Sequence, residues 1–476
     1  MTDPTRTPPL PGNNDDSARR RQAQLRLRLL KGEWLEDLIQ HMREHFSAAR
    51  QQAMGKPDLS TNLWQSIIGQ LAVLYDRPAV IRHEDPEAAE RATQLLADAG
   101  WWSLAGELQR FTLACRECFV RPTLAQDGGV LLRIVTPDCV YAEGAPESPD
   151  LPVKLVEARL RDLGDGEEWF WDAFDVSDPA APTYRVLRAK DEEDVTEQVL
   201  GSTDWPAEFR DEDGAPVLPY ATYHAKRTGR LWDWRAQAEA VDGSLTIAVL
   251  WTWWVHCVRD SAWAQKWTMD AVLRGTQRTG SGSGQASTID TDPSSVMQFR
   301  ADGDRASIGQ WTPPVDPLTL GTSISEFEQR LLVHFGLTPG DAQRTGGGPS
   351  SGYAISLRRE PVRQAQRRYA PNFERGDQQL LRIVSGLVRG TDMQIPADGY
   401  SITYPGPPKS WEETQAELDR LAALGAVGLA SKVDAYLELY PGTTREQAAE
   451  ALALIEQEGR QFGALAAPTQ PGATGR

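Results

Sequence analysis

TPGDAQRTGGGPSSGYAISLRRE, residues 338–360, passes from a Pro/Gly-rich stretch into the start of an arginine-bearing helix. A phosphate cradle, a serine nucleophile on a tight turn and a mobile loop facing a polymer would each suit such a junction. GPSSG, residues 348–352, matches the G-x-S-x-G elbow that would present Ser350 as a nucleophile. An elbow must follow a β-strand, whereas helix, proline and glycines precede Ser350. Its triad also needs a later histidine, and His41, His45, His83, His224, His256 and His334 all come earlier. A nucleotide-binding P-loop needs lysine in G-x-x-x-x-G-K-[ST], and TGGGPSSG has none. What survives is a long Gly-rich loop, a class that is usually functional inside compact proteins.

Residues 353–389 beyond the loop read as one long helix, with Pro361 and Pro371 expected to kink it. With Arg358 at zero and about 100° per residue, Arg359, Arg363, Arg367, Arg368, Arg375, Arg382 and Arg389 cluster on one side. Ile355, Val362, Ala365, Tyr369, Phe373, Leu380, Ile383 and Leu387 cluster around the other. The arginine face is either a solvated surface pairing with acidic neighbours or a surface that meets phosphates or an adjacent subunit.

A chain of 476 residues, 40% hydrophobic, is long enough for two to four packed regions. The longest apolar run, LTIAVLWTWWVHCV at 245–258, falls short of the roughly 20 residues a bilayer span needs. MTDPTRTPPLPGNNDDSARRR lacks an apolar segment after its charges, so synthesis in the cytoplasm without a signal peptide is expected. A net charge of −17 disfavours tight wrapping around DNA but suits a surface that DNA must pass without sticking. Cys115, Cys118, Cys139 and Cys257 are too few for a disulfide framework. Cys115-x-x-Cys118 continues a helical pattern and reads as a pair of buried thiols.

Working outward, residues 1–18 lack periodicity and read as disordered. A helix with a basic start begins at Arg19, and helices follow at 63–75, 86–99 and 102–118. A β-rich stretch comes next, with VLLRIV after Asp127-Gly128-Gly129, VKLVEARL and EEWFWDAFDV around Gly164-Asp165-Gly166, then YRVLRAK and PVLPYATY. Residues 232–270 read as helix, apolar on nearly every face over 245–258, so Trp251, Trp253, Trp254, Trp263 and Trp267 are packing or subunit-contact residues. An irregular segment holds one hairpin, SSVMQFRADGDRASIGQW, turning at Asp302-Gly303. Asp316-Pro317 starts another helix, whose Leu320, Ile324, Phe327, Leu331 and Phe335 make a single packed seam. The strand YSITYP precedes helices at 416–424, 432–439 and 446–458, with capping boxes at Ser410 and Thr443 and an unstructured tail.

HMREH, residues 41–45, matches the H-x-x-E-H arrangement of inverted zinc peptidases. Such an enzyme needs a further ligand and a substrate pocket, and this match sits in a helix rich in arginine and glutamine. No catalytic residue, metal or cofactor is therefore expected. A metal- or serine-dependent hydrolase built on HMREH or GPSSG is the competing enzymatic class.

In their order, these elements resemble the portal (head-tail connector) proteins of tailed bacteriophages, over about residues 63–458. NLWQSIIGQLAVLYDRPAVI, GGVLLRIVTPDCVYAE and APVLPYATY look like parts of the family's wing, and SSGYAI resembles the start of its long helix. FGLTPGDAQRTGGGPSSGYAI looks like the junction of stem, tunnel loop and long helix, and YPGPPKSWEE like the return strand leading to the crown. The resemblance implies an α+β portal fold: wing 19–235, wing/stem helix 236–273, clip 274–312, second stem helix 313–337, tunnel loop 338–352, long kinked helix and return strand 353–409, crown 410–460 and tail 461–476.

It further implies a homo-oligomeric ring, usually of twelve subunits, at a capsid vertex of the virion. Double-stranded DNA would pass through without sequence specificity, driven by a separate terminase. Gln343, Arg344, Thr345, Gly346, Gly347 and Gly348 would form the DNA-facing tunnel loop. Arg274, Gln277, Arg278, Arg300 and Arg305 would sit on the clip that docks terminase and later the head-tail adaptor. Arg358, Arg359, Arg363 and Arg367 would meet a neighbouring subunit or phosphate. Major capsid or scaffolding protein is the remaining implied partner, with no membrane.

Overall fold

The computed structural model describes residues 10–48, 51, 56–125, 128–162, 166–211, 213–262, 265–269, 271–273, 299–301, 307–311, 316–337, 352–406, 411–440 and 445–463. It is an α+β structure of long helices and small antiparallel sheets. Two compact units divide the chain: Met1–Gln343 with Pro361–Pro407, and Arg344–Glu360 with Pro408–Arg476.

The first unit opens on α1, Asn14–Lys31, so the expectation of disorder through residue 18 is corrected for its last five positions. The reason is local. Asn13 accepts from the amides of Asp15 and Asp16 while Asp16 reaches back to the Asn13 amide, a reciprocal cap that starts the helix ahead of its apolar stripe. Helices α2 (Leu35–His45), α3 (Leu63–Leu71), α4 (Pro86–Asp98) and α5 (Trp101–Cys115) follow. Part of the basic start of α1 is buried. Arg19 donates to the carbonyls of Pro137 and Val140 at 2.8 and 2.6 Å and lies 3.8 Å over the Trp232 ring. Burial lowers its pKa only to about 10, so it remains charged near neutrality.

The Cys115-x-x-Cys118 pair is not within one helix, as its periodicity suggested. Cys115 closes α5, Arg116 takes a φ of +82°, and Cys118 lies on strand β2, Glu117–Leu124. Both thiols are free and buried, and burial raises both. β2 pairs on one side with β3 (Val130–Val135) and on the other with β8 (Ala221–His224), a shorter strand than PVLPYATY suggested. A four-stranded meander contains β4 (Val140–Gly144), β5 (Pro152–Asp162), β6 (Glu167–Asp175) and β7 (Thr183–Arg188). A short helix α6, Thr196–Leu200, follows it.

A charged cluster links these two sheets. Asp172 on β6 accepts from Arg121 on β2 at 2.7 Å, from Arg159 at 3.3 Å and from Arg161. Glu157 on β5 accepts from Arg121 at 3.2 Å, Arg133 at 2.8 Å and the Tyr220 hydroxyl at 2.8 Å. Arg121, Glu157 and Asp172 are all buried. Burial alone would raise the Asp172 carboxyl; Arg121 and Arg161 overcome this and hold it below the usual range.

The expected helix over 232–270 is shorter. Helix α7 covers Ala238–Ala262, and β9 (Gln265–Met269) and β10 (Ala271–Leu273) occupy its expected end and that of the region drawn as 236–273. The expected hairpin at Asp302-Gly303 is also re-paired. Its arms, β11 (Phe299–Ala301) and β12 (Ser307–Trp311), bond antiparallel to β10 and β9 respectively. A non-local ladder has prevailed over local turn chemistry, with Gln265 opposite Trp311 and Leu273 opposite Phe299.

Helix α8, Pro317–His334, starts where Asp316-Pro317 indicated, with the Asp316 carboxylate accepting from the amides of Leu318 and Thr319. Helix α9, Gly352–Leu387, runs without interruption through Pro361 and Pro371. Beyond it β13 (Ser401–Thr403) pairs antiparallel with β1 (Val80–Arg82). The second unit holds α10 (Trp411–Ala426), α11 (Lys432–Leu439) and α12 (Arg445–Gly463), the first and last longer than their periodicity indicated. A capping box joins Ser431 and Asp434. Those expected at Ser410 and Thr443 have their first residues outside the described residues.

Candidate functional site

The segment that resembles stem and clip is an antiparallel helical pair with a two-stranded ribbon between its members. Gly243, near the start of α7, lies against Leu331 near the end of α8, where an added Cβ would come within 2.9 Å of that side chain. Farther along, the Trp254 indole N–H donates to the Pro317 carbonyl at 2.8 Å, and that of Trp251 to Glu328 at 2.6 Å. Glycine at 243 and 321 lets the helices approach this closely. The seam read from the sequence is present: Ile324 and Phe335 are buried, with Leu320, Phe327 and Leu331 half-buried.

Burial of α7 is uneven, which revises the expectation of a helix covered on all sides. Leu245, Ile247, Ala248 and Val249 are buried, whereas Val255 is 47% and Val258 37% exposed. Trp251, Trp253 and Trp254 are half-buried, and Trp251 and Trp254 with Pro317, Leu318 and Gly321 line an apolar groove of about 580 Å³. Leu318 on its rim is 77% exposed. The periodicity was apolar all round because this helix serves a core at one end and a groove at the other. Trp263 lies outside the described residues, and Trp267 falls on β9 instead of a helix.

Helix α9 is two-faced, as its sequence indicates. Ala365, Tyr369, Phe373, Leu380, Ile383 and Leu387 are buried; Arg367, Arg368, Arg375, Arg382 and Arg389 are exposed and Arg363 is half-buried. Two of these arginines engage the sheet region: Arg382 meets Asp211 at 3.4 Å and Arg389 donates to the Arg210 carbonyl at 2.8 Å. Part of the face therefore pairs within its own unit.

What anchors α9 was not legible in the sequence. Asp377, fully enclosed, accepts hydrogen bonds from Tyr75, Tyr223 and Tyr404, at 2.9, 2.8 and 2.7 Å for the shortest contact of each. Burial pushes its carboxyl up to about 6, and the Tyr404, Tyr223 and Tyr75 hydroxyls offset part of that rise. Gly376 is required beside it, since an added Cβ would lie 2.4 Å from the Tyr223 ring. Gly376→Ala is expected to destabilise the protein by about 1–3 kcal/mol through overpacking. That outweighs a helix-propensity gain of about 1 kcal/mol. Urea denaturation will measure it; a stabilised variant would mean that Tyr223 can move freely.

Of the residues assigned to the implied clip, Arg274, Gln277, Arg278 and Arg305 lie outside the described residues, and Arg300 is on β11. Gln343, Arg344, Thr345, Gly346, Gly347, Gly348 and Ser350 also lie outside them. Arg358 and Arg359 fall on the first turns of α9. The HMREH motif occupies the end of α2, where the His41 and His45 ring centroids are 4.9 Å apart. Among the described residues no helix is long and apolar enough to cross a membrane.

No protein-family model matches the chain. No curated protein matches it either. Among solved structures it is similar to a chain in the neck of an empty gene transfer agent particle computed with C6 symmetry, at 12% identity and a TM-score of 0.45, covering 80% of this chain and 90% of that one. It is also similar to a chain in the virion of a native gene transfer agent particle, at 12% identity and a TM-score of 0.42, with coverage of 80% and 90%.

Proposed function

We propose that this chain is a phage-type portal protein, a ring-forming DNA conduit at a capsid vertex. The observation that carries the proposal is the antiparallel pair α7 and α8 with the ribbon β9–β12 between them in sequence, followed by the Gly-rich segment and the arginine-faced α9. This is the order of stem, clip, stem, tunnel loop and long helix that the sequence resemblance implies. The chemistry is that of a passive channel. The chain has no P-loop lysine motif, and its charge of −17 would make most of a ring's wall repel phosphate. Discrete arginines would then supply the few favourable contacts. Repulsion everywhere would hinder entry, and attraction everywhere would trap the DNA.

In this proposal Gln343 to Gly348 form the narrowest ring, with Gly346, Gly347 and Gly348 allowing it to yield as duplex passes. Arg274, Gln277, Arg278, Arg300 and Arg305 face terminase and then the head-tail adaptor. Arg358, Arg359, Arg363 and Arg367 meet a neighbouring subunit or phosphate. The ring has twelve copies and also contacts the major capsid or scaffolding protein.

Electron microscopy of the purified full-length chain tests the assembly: a ring with an axial channel is expected. A ring without a channel would instead favour a capsid scaffold. Deleting Gly346 to Gly348 tests the conduit itself, because assembly should persist while packaged DNA per particle falls. Unchanged packaging would remove the loop from the mechanism.

A further inference from the structure

We infer that His41, Glu44 and His45 form a binding site for one divalent transition-metal ion of the zinc type at the C-terminal end of α2. Among the described residues they are the group of three whose potential ligand atoms lie close together, all within 4.8 Å of one another. The local cause is the helix repeat: positions 41 and 45 are one turn apart, with 44 beside them. Two imidazoles and a carboxylate suit zinc, nickel or copper better than magnesium or calcium, which take oxygen donors.

A second observation concerns the tautomer. The His41 Nε2 lies 3.2 Å from the Thr246 hydroxyl on α7, and that hydroxyl donates its own proton to the Asp242 carbonyl at 2.9 Å. Thr246 can then only accept from His41, so Nε2 carries the ring proton and Nδ1 keeps its lone pair. Nδ1 would then be the ligating atom, with the Nε2 contact as the outer-sphere bond that ligating histidines commonly make. The helix end adds a favourable field, since the macrodipole is negative there and attracts a cation.

The ion would bridge the last turn of α2, where Phe46 meets Trp253 of α7 at 5.3 Å between ring centroids. With all three ligands on α2, its role would be to staple the last turn of that helix against fraying. It differs from the peptidase alternative in needing no substrate pocket and no water activation, and it is independent of the conduit proposal.

The test is titration of zinc sulfate into the untagged full-length chain, with thermal unfolding in parallel. Saturable binding of one zinc per chain is expected, with a rise in Tm of roughly 2 °C or more at saturation. Both should disappear in His45→Ala, an exposed position where the fold is retained. Thr246→Val should keep the stoichiometry but weaken affinity roughly 10- to 100-fold. Absence of saturable binding, its persistence in His45→Ala, or equal competition by magnesium would overturn the site. Undiminished affinity in Thr246→Val would overturn the assignment of the tautomer.

Discussion

Asp172→Ala is expected to destabilise the first unit by about 3–5 kcal/mol, because it leaves the buried Arg121 guanidinium with an incomplete set of acceptors. Arg121 would retain Glu157 at 3.2 Å but lose its 2.7 Å partner, and Arg159 and Arg161 would lose the carboxylate they share. The cost comes from the stranded charge more than from the lost attraction. A triple variant, Arg121→Met with Glu157→Gln and Asp172→Leu, removes every buried charge of the cluster and should therefore recover much of the stability. The pH dependence has a defined sign. The folded Asp172 pKa lies below its unfolded value, so its contribution is present at neutral pH and is lost as pH falls through the folded pKa. Denaturant titrations of wild type and variant should converge on strong acidification. A constant gap would show that this carboxylate does not carry the linkage.

At Asp377 the slope runs the other way. Its folded pKa of about 6 lies above the unfolded value, so stability is greatest below the unfolded pKa and falls as pH rises through about 6. The shift corresponds to about 3 kcal/mol between the two plateaus. Asp377→Asn should abolish this component, leaving the stability difference between wild type and variant dependent on pH within that window. Parallel profiles would mean that the carboxylate titrates elsewhere. Tyr404→Phe removes one of three donors and should cost about 1–3 kcal/mol near neutrality, where the buried carboxylate is ionised. These residues join strands, loops and α9 around a single buried acid, so the anchorage of the arginine-faced helix should loosen on alkalinisation and tighten on acidification.

Where the determining interactions are local, the fold was legible. The Asp316-Pro317 cap, the α8 seam and the opposed faces of α9 arise from spacings of two to four residues, and the structure contains all three. The β4–β7 meander was partly legible because the sequence Gly164-Asp165-Gly166 separates its β5 and β6 arms. Local pattern misled where a competing partner lay far away. The end of the predicted 232–270 helix became β9 and β10 because strands 26 to 46 residues later, counted between paired positions, supply their hydrogen bonds. Residues 14–18 misled in the opposite sense: they have no apolar period, but Asn13 and Asp16 cap them into helix.

The candidate sites divide in the same way. HMREH was visible as a motif, but the hydrogen bond between His41 and Thr246 spans 205 residues and forms only once α2 lies on α7. Nothing near Asp377 in the chain announces that Tyr75, 302 residues away, and Tyr223, 154 residues away, will enclose it. By itself the sequence determined where α8 begins, which faces of α8 and α9 are apolar or cationic, and that residues 338–352 lack the lysine and later histidine their catalytic motifs need. Only the tertiary structure decided the ribbon register, the burial of Arg19 and Arg121, and the tyrosine enclosure of Asp377. The physical reason is that caps and amphipathic periods are satisfied within a turn or two of chain, whereas a buried charge is stabilised only by partners that folding brings from elsewhere.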